Sequence, residues 1–319
     1  MRVALFGGTG FVGSYLVDAL IEHGHEPLLL LRPGSEGRVV QSAAVTLVNG
    51  DVADERAISA VLDGADAAIY NIGLLREFPA RGVSFRELHF EAARRVMGSA
   101  VRSGVKRFVL MSANGVNAQG TAYQRTKYMA EEYLKTTALD WTIFRPSVIF
   151  GDPRGRTEFA TRLYREILCS PLPAPLFFKG LLPNRAGCFS LSPVHAGDVA
   201  RVFVRSLTDA TAVGRIDEIG GPEALTWKAV LRRIADATEK PLLTLPAPVW
   251  GVRSAAALLD RFAFFPITRE QLDMLMAGNS CDSRALFERY GLEPQRFDPD
   301  SLGYLVSGRR ASAAEQQRC

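Results

Sequence analysis

Cysteine, histidine, long apolar runs and concentrated charge are all scarce in this sequence, and each scarcity closes off a class of function. The four cysteines among 319 residues, Cys169, Cys188, Cys281 and Cys319, lack the paired spacing that a zinc site or disulfide framework needs, so reduced thiols are expected. There are four histidines. His195 has no cysteine or second histidine at ligand spacing and reads as a packed residue; no metal site is expected. No apolar run approaches the ~18 residues of a membrane helix. The net charge of +4 is small and no lysine–arginine block stands out, which argues against nucleic-acid binding. No internal repeat is found. The tail from Ser307 to Cys319 lacks apolar anchors and is expected to be disordered. The first expected strand begins directly after Arg2, leaving no room for a leader peptide. A cytoplasmic protein is expected, with peripheral attachment at the inner face of the membrane as the alternative.

What is present is a globular composition, 47% hydrophobic, enough for a sizeable core. Its most informative stretch is Gly7-Gly8-Thr9-Gly10-Phe11-Val12-Gly13, which follows the apolar run Val3-Ala4-Leu5-Phe6 and opens a helical pattern to about His23. A buried strand, a glycine turn and a helix start form a dinucleotide-binding fingerprint. Gly7 allows the tight turn, Gly10 lets the backbone approach a pyrophosphate, and Gly13 lets helix and sheet pack closely. Free N–H groups and the positive dipole end at the helix start suit phosphate. Thr9, Phe11 and Val12 complete the expected cofactor turn.

Residues 26–32 read as a second buried strand, since continuous apolar runs suit a parallel sheet covered on both faces. An NAD-specific site carries an acidic residue near this point to bind the ribose 2′-hydroxyl. Arg32 stands here instead, with Arg38 nearby, and a guanidinium pairs with a 2′-phosphate where a carboxylate repels it. NADP(H) is therefore expected over NAD(H). A third strand, 45–48, runs to Asp51 and Val52. Asp51 is placed to accept from an adenine amino group, to cap the helix 54–63, or to do both. The strand 67–70 leads into Asn71 and Gly73, where a small residue lets cofactor pass. A long helix follows over 85–103, with Leu88, Ala92, Val96 and Ala100 inward and Arg94, Arg95 and Arg102 on its wet face. The strand 108–112 and a helix carrying Tyr123 and Lys127 come next. These two residues are four apart and share one helix face. A lysine cation held near a phenol lowers its pKa, as an acid–base residue at a carbonyl or alcohol would need. Strands alternating with helices imply an α/β fold, a doubly wound parallel sheet of the Rossmann type.

The glycine turn, Asp51, Asn71-x-Gly73 and Tyr123-x-x-x-Lys127, together with residues 141–151 and 193–200, resemble the extended or atypical branch of the short-chain dehydrogenase/reductase superfamily over about residues 1–305. More narrowly, Phe108–Ser112, the Tyr-x-x-Thr-Lys unit, Leu139–Gly151 and Ile267–Leu272 resemble the nucleotide-binding accessory subunit of respiratory complex I and its bacterial relatives. The resemblance implies tight NADPH binding, contacts from Pro146 and Val148, and a structural or assembly role, with links to quinone metabolism among related reductases. Active extended members end the fifth strand in two hydroxyl residues, the second polarising the substrate carbonyl. Here the pair is Ser112-Ala113, and the methyl of Ala113 donates no hydrogen bond, removing a contribution often worth ~2.7–4 kcal/mol. Ser112 is the candidate substitute. If turnover occurs, the resemblance assigns Tyr123 as proton donor or acceptor and Lys127 as partner of the nicotinamide ribose.

The expected division is a nucleotide-binding domain over 1–150 with 192–221 and a smaller substrate or partner region over 151–191 with 222–306. Within the latter, 157–169 reads as helix and the proline-rich 170–187 as irregular, because Pro171, Pro173, Pro175 and Pro183 forbid a continuous helix. The helix 226–238 shows ordinary core patterning. Residues 246–265 read as packing, or as an interfacial or partner-binding helix that contacts a membrane surface or a protein complex. Two functions stay open: an NADP(H)-binding structural or assembly protein with weak or no turnover, and an NADP-dependent oxidoreductase or epimerase acting on a sugar nucleotide, a quinone-related compound or another small carbonyl substrate.

Overall fold

The computed structural model describes residues 1–39, 43–78, 82–259 and 269–306. The expected tail from Ser307, the Ile267-Thr268 start of the late motif and positions 260–265 of the apolar stretch lie outside these residues. The chain forms two compact units. One comprises Met1–Pro146, Ala196–Ile219 and Ala285–Leu292; the other comprises Ser147–His195, Gly220–Arg284 and the chain from Glu293 onward.

In the first unit strands and helices alternate: β1 (Arg2–Phe6), α1 (Phe11–Glu22), β2 (Glu26–Leu31), β3 (Thr46–Asn49), α2 (Glu55–Leu62), β4 (Ala67–Tyr70), α3 (Ala92–Arg102), β5 (Arg107–Met111), α4 (Ala122–Lys135) and β6 (Asp140–Pro146). The helix Ala196–Ser206, the strand Arg215–Ile219 and residues Ala285–Leu292 complete it. All seven strands are parallel, in the order 215–219, β6, β5, β4, β1, β2, β3. The chain thus winds outward from β1 in one direction and then resumes at β4 in the other. The topological switch between β1 and β4, where such sheets bind ligands at the strands' carboxyl ends, is the doubly wound arrangement expected. Strands β4 and β5 are buried along their whole length, because helices cover both faces.

Local chemistry accounts for the helix boundaries. Asp54 caps α2 by accepting the Arg56 N–H at 2.9 Å, a bond of the kind worth ~1 kcal/mol. The cap is therefore Asp54, while Asp51 accepts the Ala53 N–H at 2.9 Å. Thr121 and Gln124 form a reciprocal capping box at the start of α4. The long helix expected over 85–103 is interrupted in kind: Arg86–Glu91 is a π-helical turn, and the α-helix begins at Ala92. The wider turn re-phases the helix, so that His89 is buried while Leu88 is only half-buried. Nor is Arg95 simply on a wet face. It pairs with Glu87 and donates from Nε to the Val52 carbonyl at 3.1 Å, tying α3 to the loop after β3. Arg107, itself buried, donates to Asp140 O, Thr142 Oγ1 and Ser206 O at 2.7–2.8 Å, which joins β5, β6 and the helix Ala196–Ser206.

Among its described residues the second unit holds three short strand pairs. Val194–His195 runs parallel to Ile149–Phe150, Leu225–Thr226 antiparallel to Ser190–Leu191, and Thr244–Pro248 parallel to Ala174–Phe178. Its core gathers Trp227, Val230, Leu231 and Ile234 of the helix Trp227–Ala237 with Phe150, Leu191 and Phe297. Of the helix expected over 157–169, Phe159–Leu163 is α-helical and continues into a π turn, Tyr164–Leu168. The expectation of an irregular 170–187 is corrected. Prolines at 173 and 175 exclude a helix but not an edge strand, and Ala174–Phe178 pairs with Thr244–Pro248. Correspondingly, 246–248 is strand, and the helix begins at Val249. His195 packs edge-on against Phe150, ring centroids 5.3 Å apart, and its Nδ1 lies 2.9 Å from Gln295 Nε2.

Candidate nucleotide-binding site

The glycine turn lies at the carboxyl end of β1, on the switch between β1 and β4. Gly7 has φ +98°, a left-handed backbone that side chains resist, and a Cβ there would sit 3.0 Å from the backbone of Asn71. Gly13 is held tighter still: a Cβ would fall 2.1 Å from Gly7 O. The turn closes through Gly10 N–H to Gly7 O at 3.1 Å. Helix α1 then starts at Phe11 with Gly10 as its cap residue, no side-chain cap bond and no acidic residue in the first turn. First-turn N–H groups that no side chain caps, at the positive dipole end and without a neighbouring carboxylate, are suited to an anion. The cradle therefore fits a dinucleotide pyrophosphate.

Around this turn the candidate residues take separate places. Arg32 is exposed immediately after β2, and no ion pair holds it among the described residues. Asp51 and the buried Val52 follow β3. Asn71 continues the β1–β4 pairing, its N–H donating to Phe6 O at 2.9 Å. A Cβ at Gly73 would meet Lys127 Nζ at 3.7 Å and His89 Nε2 at 4.0 Å, so the loop after β4 approaches α4. Pro146 ends β6; Val148 belongs to the second unit.

Tyr123 and Lys127 share one face of α4, and Lys127 Nζ stands 5.8 Å from the Tyr123 ring centroid. Its ammonium donates to Met111 O at 3.0 Å. Burial pushes the Lys127 ammonium down to about 8, opposed by the Glu131 carboxylate. The tyrosine departs from expectation. Burial between Phe85 and His89 raises the phenol above its ordinary value, the opposite direction to the one a nearby lysine cation favours.

Ser112 departs likewise. Its hydroxyl donates to Glu131 Oε1, and Glu131 is fully buried. Arg145 binds the same carboxylate through Nε at 2.9 Å and Nη2 at 2.5 Å. The bond to Glu131 raises the Arg145 pKa. Three donors thus satisfy one buried carboxylate, and the only hydroxyl of the Ser112-Ala113 pair is engaged within the protein.

Sequence patterns missed His89 and Glu131. Glu131 lies four residues beyond Lys127, so Tyr123, Lys127 and Glu131 occupy one helical face at i, i+4 and i+8; that spacing was the available signal. For His89 there was none, since an α-helical repeat does not anticipate the π turn that buries it. His89 Nε2 accepts the Leu74 N–H at 3.1 Å, and Nδ1 lies 3.1 Å from Thr126 Oγ1. An amide can only donate, so the proton is on Nδ1 and is given to Thr126, which in turn donates to Ala122 O at 2.9 Å. Burial, with the nearby Lys127 cation, pushes the imidazole down to about 2. A neutral histidine thus joins the loop after β4 to α4. Together with Tyr70, Ile72, Met111, Ser112 and Lys127, it lines a small cavity in the first unit.

Residues 7–165 match the NAD(P)H-binding family model. The chain is 29% identical over 322 residues to subunit 9 of the NADH dehydrogenase [ubiquinone] 1 alpha subcomplex of Arabidopsis thaliana mitochondria, covering 95% of the chain and 75% of the relative. It is 28% identical over 271 residues to the ceramide reductase of Caulobacter vibrioides, covering 82% and 78%. The fold is that of Thermus thermophilus UDP-glucose 4-epimerase, solved with NAD: TM-score 0.71 at 18% identity, over 97% of this chain and 99% of that one. The cofactor these matches support is a nicotinamide dinucleotide. Among the described residues no helix is long and apolar enough to cross a membrane. With its sheet order, its glycine cradle and these relatives in agreement, the chain carries an NAD(P)H-binding domain, and its matches support the extended short-chain dehydrogenase/reductase superfamily.

Proposed function

We propose that the protein binds NADP(H) tightly and serves a structural or assembly role related to respiratory complex I or quinone metabolism, with weak or no turnover, in the cytoplasm at the periphery of the membrane. The observation that carries the weak turnover is the Ser112–Glu131 bond: with Ala113 unable to donate, no hydroxyl of the fifth strand end is left to polarise a carbonyl. The raised phenol of Tyr123 supports the same reading. Arg32, exposed where an NAD site carries a carboxylate, supports NADP(H). Gly7, Thr9, Gly10, Phe11, Val12 and Gly13 would hold the pyrophosphate, Asp51 and Val52 the adenine, and Asn71, Gly73, Lys127 and Pro146 the nicotinamide end. The bound dinucleotide supplies hydride chemistry; the protein positions it. The alpha subcomplex name of the Arabidopsis relative favours the assembly role.

The second reading is an NADP-dependent oxidoreductase or epimerase acting on a sugar nucleotide or other small carbonyl compound through Tyr123 and Lys127. Its support is their shared helix face and the reductase name of the Caulobacter relative. The test is to identify the nucleotide retained on purification and to titrate NADP(H) and NAD(H) into wild type and Arg32→Glu. NADP(H) affinity should fall about tenfold to a hundredfold, as for the loss of charge-assisted bonds worth ~1.5–3 kcal/mol, with little change for NAD(H). An equal effect on both refutes the 2′-phosphate assignment. Steady nicotinamide turnover with a panel of carbonyl compounds, abolished in Tyr123→Phe, would reject the binding-only function.

A further inference from the structure

The six most exposed large apolar side chains among the described residues are Leu172, Leu181, Leu182, Leu243, Leu245 and Trp250, at 58% to 90% exposure. All six belong to the second unit, within 170–189 and 240–254. Singly exposed leucines need no explanation; such a concentration does. The strand pairing brings the two stretches together. Ala174 pairs with Thr244 and Phe178 with Pro248, and the Ala174 N–H donates to Leu243 O at 2.7 Å. Leu172, Leu243 and Leu245 therefore flank one end of a five-residue pair. The other end, about 13 Å away at ~3.3 Å per residue, carries Leu181, Leu182 and Trp250. The Gly187 N–H returns to Phe177 O at 2.8 Å, closing the intervening residues into a loop that presents Leu181-Leu182. The strand itself is anchored by buried Leu176, Phe177 and Phe178.

Charge identifies the occupant. Across 170–189 and 240–254 the ionisable residues other than cysteine are Lys179, Arg185, Lys240 and Arg253, all cations, with no aspartate or glutamate. Lys179 and Arg185 are exposed on either side of the leucine pair, while Arg253 is shared with Asp273 at 3.3 Å. Leucines at a loop tip, a tryptophan beside them and charge of one sign match a bilayer interface, where aromatic rings lie at headgroup level and cations meet anionic lipid. Exposed Pro171, Pro173, Pro183 and Pro246 also remove backbone donors that headgroup burial would leave unpaired.

We propose that this face of the second unit docks on an anionic lipid surface, with Leu181, Leu182 and Trp250 entering the interface and Lys179 and Arg185 meeting the headgroups. The proposal rests on the peripheral placement within the proposed function and uses no residue of the nucleotide site. The experiment is flotation of the full-length protein, with NADP(H), on phosphatidylcholine vesicles with and without phosphatidylglycerol, read alongside tryptophan emission. Expected are binding to the phosphatidylglycerol vesicles at low salt, release as salt rises, and a blue shift that is absent in Trp250→Phe. Trp227 is buried and Trp141 lies in the other unit. The double variant Leu181→Ser with Leu182→Ser should lose at least tenfold in vesicle affinity with melting temperature and NADP(H) affinity unchanged. The pair Lys179→Gln with Arg185→Gln should blunt the salt dependence. Absence of binding at low salt would overturn the proposal and leave the patch to a protein partner. Equal binding to both vesicle types, or full binding by the double-serine variant, would also overturn it. Lost NADP(H) binding with vesicle binding intact would instead fail the nucleotide reading.

Discussion

Replacing Lys127 by methionine should stabilise the nucleotide-free protein while weakening its nucleotide binding. The ammonium is buried, and its pKa falls from 10.5 to about 8. At 1.36 kcal/mol per pH unit this corresponds to roughly 3 kcal/mol of disfavoured charge. Against this, the variant loses the donor to Met111 O, and a buried acceptor left unpaired costs ~1–3 kcal/mol. A net gain of up to about 2 kcal/mol is expected for the near-isosteric methionine, in line with replacing buried charge by apolar volume. The sign follows from linkage. Below pH 8 folded and unfolded chains both hold the proton and the penalty is complete. Between pH 8 and 10.5 only the unfolded chain holds it, so wild-type stability climbs with pH, by at most ~1.4 kcal/mol per unit. Above that window the term vanishes. Urea unfolding of both proteins from pH 7 to 10 reads the difference, which should shrink as pH rises, and calorimetric titration should show NADP(H) affinity at least tenfold weaker in the variant. Parallel pH profiles would refute the burial argument; unchanged affinity would remove Lys127 from the cofactor site.

Gly13→Ala places a Cβ 2.1 Å from Gly7 O, against backbone that cannot yield locally. It should lower stability by ~1–3 kcal/mol and abolish NADP(H) binding in a fluorescence titration. Glu131→Gln breaks a buried ion pair and should cost ~3–5 kcal/mol in urea unfolding, against ~1–3 kcal/mol for Ser112→Ala; equal losses would deny Glu131 its central place. His89→Leu strands the Leu74 N–H and should cost ~1–3 kcal/mol at pH 7. Because the folded imidazole, pushed down to about 2, stays neutral while the unfolded one charges below 6.5, wild type should lose stability relative to this variant as pH falls from 6.5 to 4.5. A constant gap in thermal melts would show that His89 titrates normally.

Much of the first unit was legible from local pattern. A strand buried on both faces must be apolar throughout, so β1, β2, β4 and β5 announce themselves, and the glycines at 7 and 13 mark positions in the turn that side chains cannot enter. Arg32 and Ala113 were equally readable, because each matters through a group it has or lacks. Less legible were elements held by partners distant in sequence. The strand Ala174–Phe178 exists because Thr244–Pro248 lies alongside it, and prolines in its own stretch argue only against a helix. The π turn at Arg86–Glu91 shifts the phase of a pattern that is otherwise helical, which hides His89.

By itself, then, the sequence determined a doubly wound nucleotide-binding sheet, since strand burial and glycine conformation are properties of short segments. Which partners the site residues take was decided by tertiary structure alone. Tyr123 and Lys127 keep the spacing of a reactive pair, yet burial raises the phenol and lowers the ammonium, and Glu131, nineteen residues beyond Ser112, occupies its hydroxyl. Desolvation and hydrogen-bond partnership depend on everything packed around a group, and no local pattern of residues carries that information.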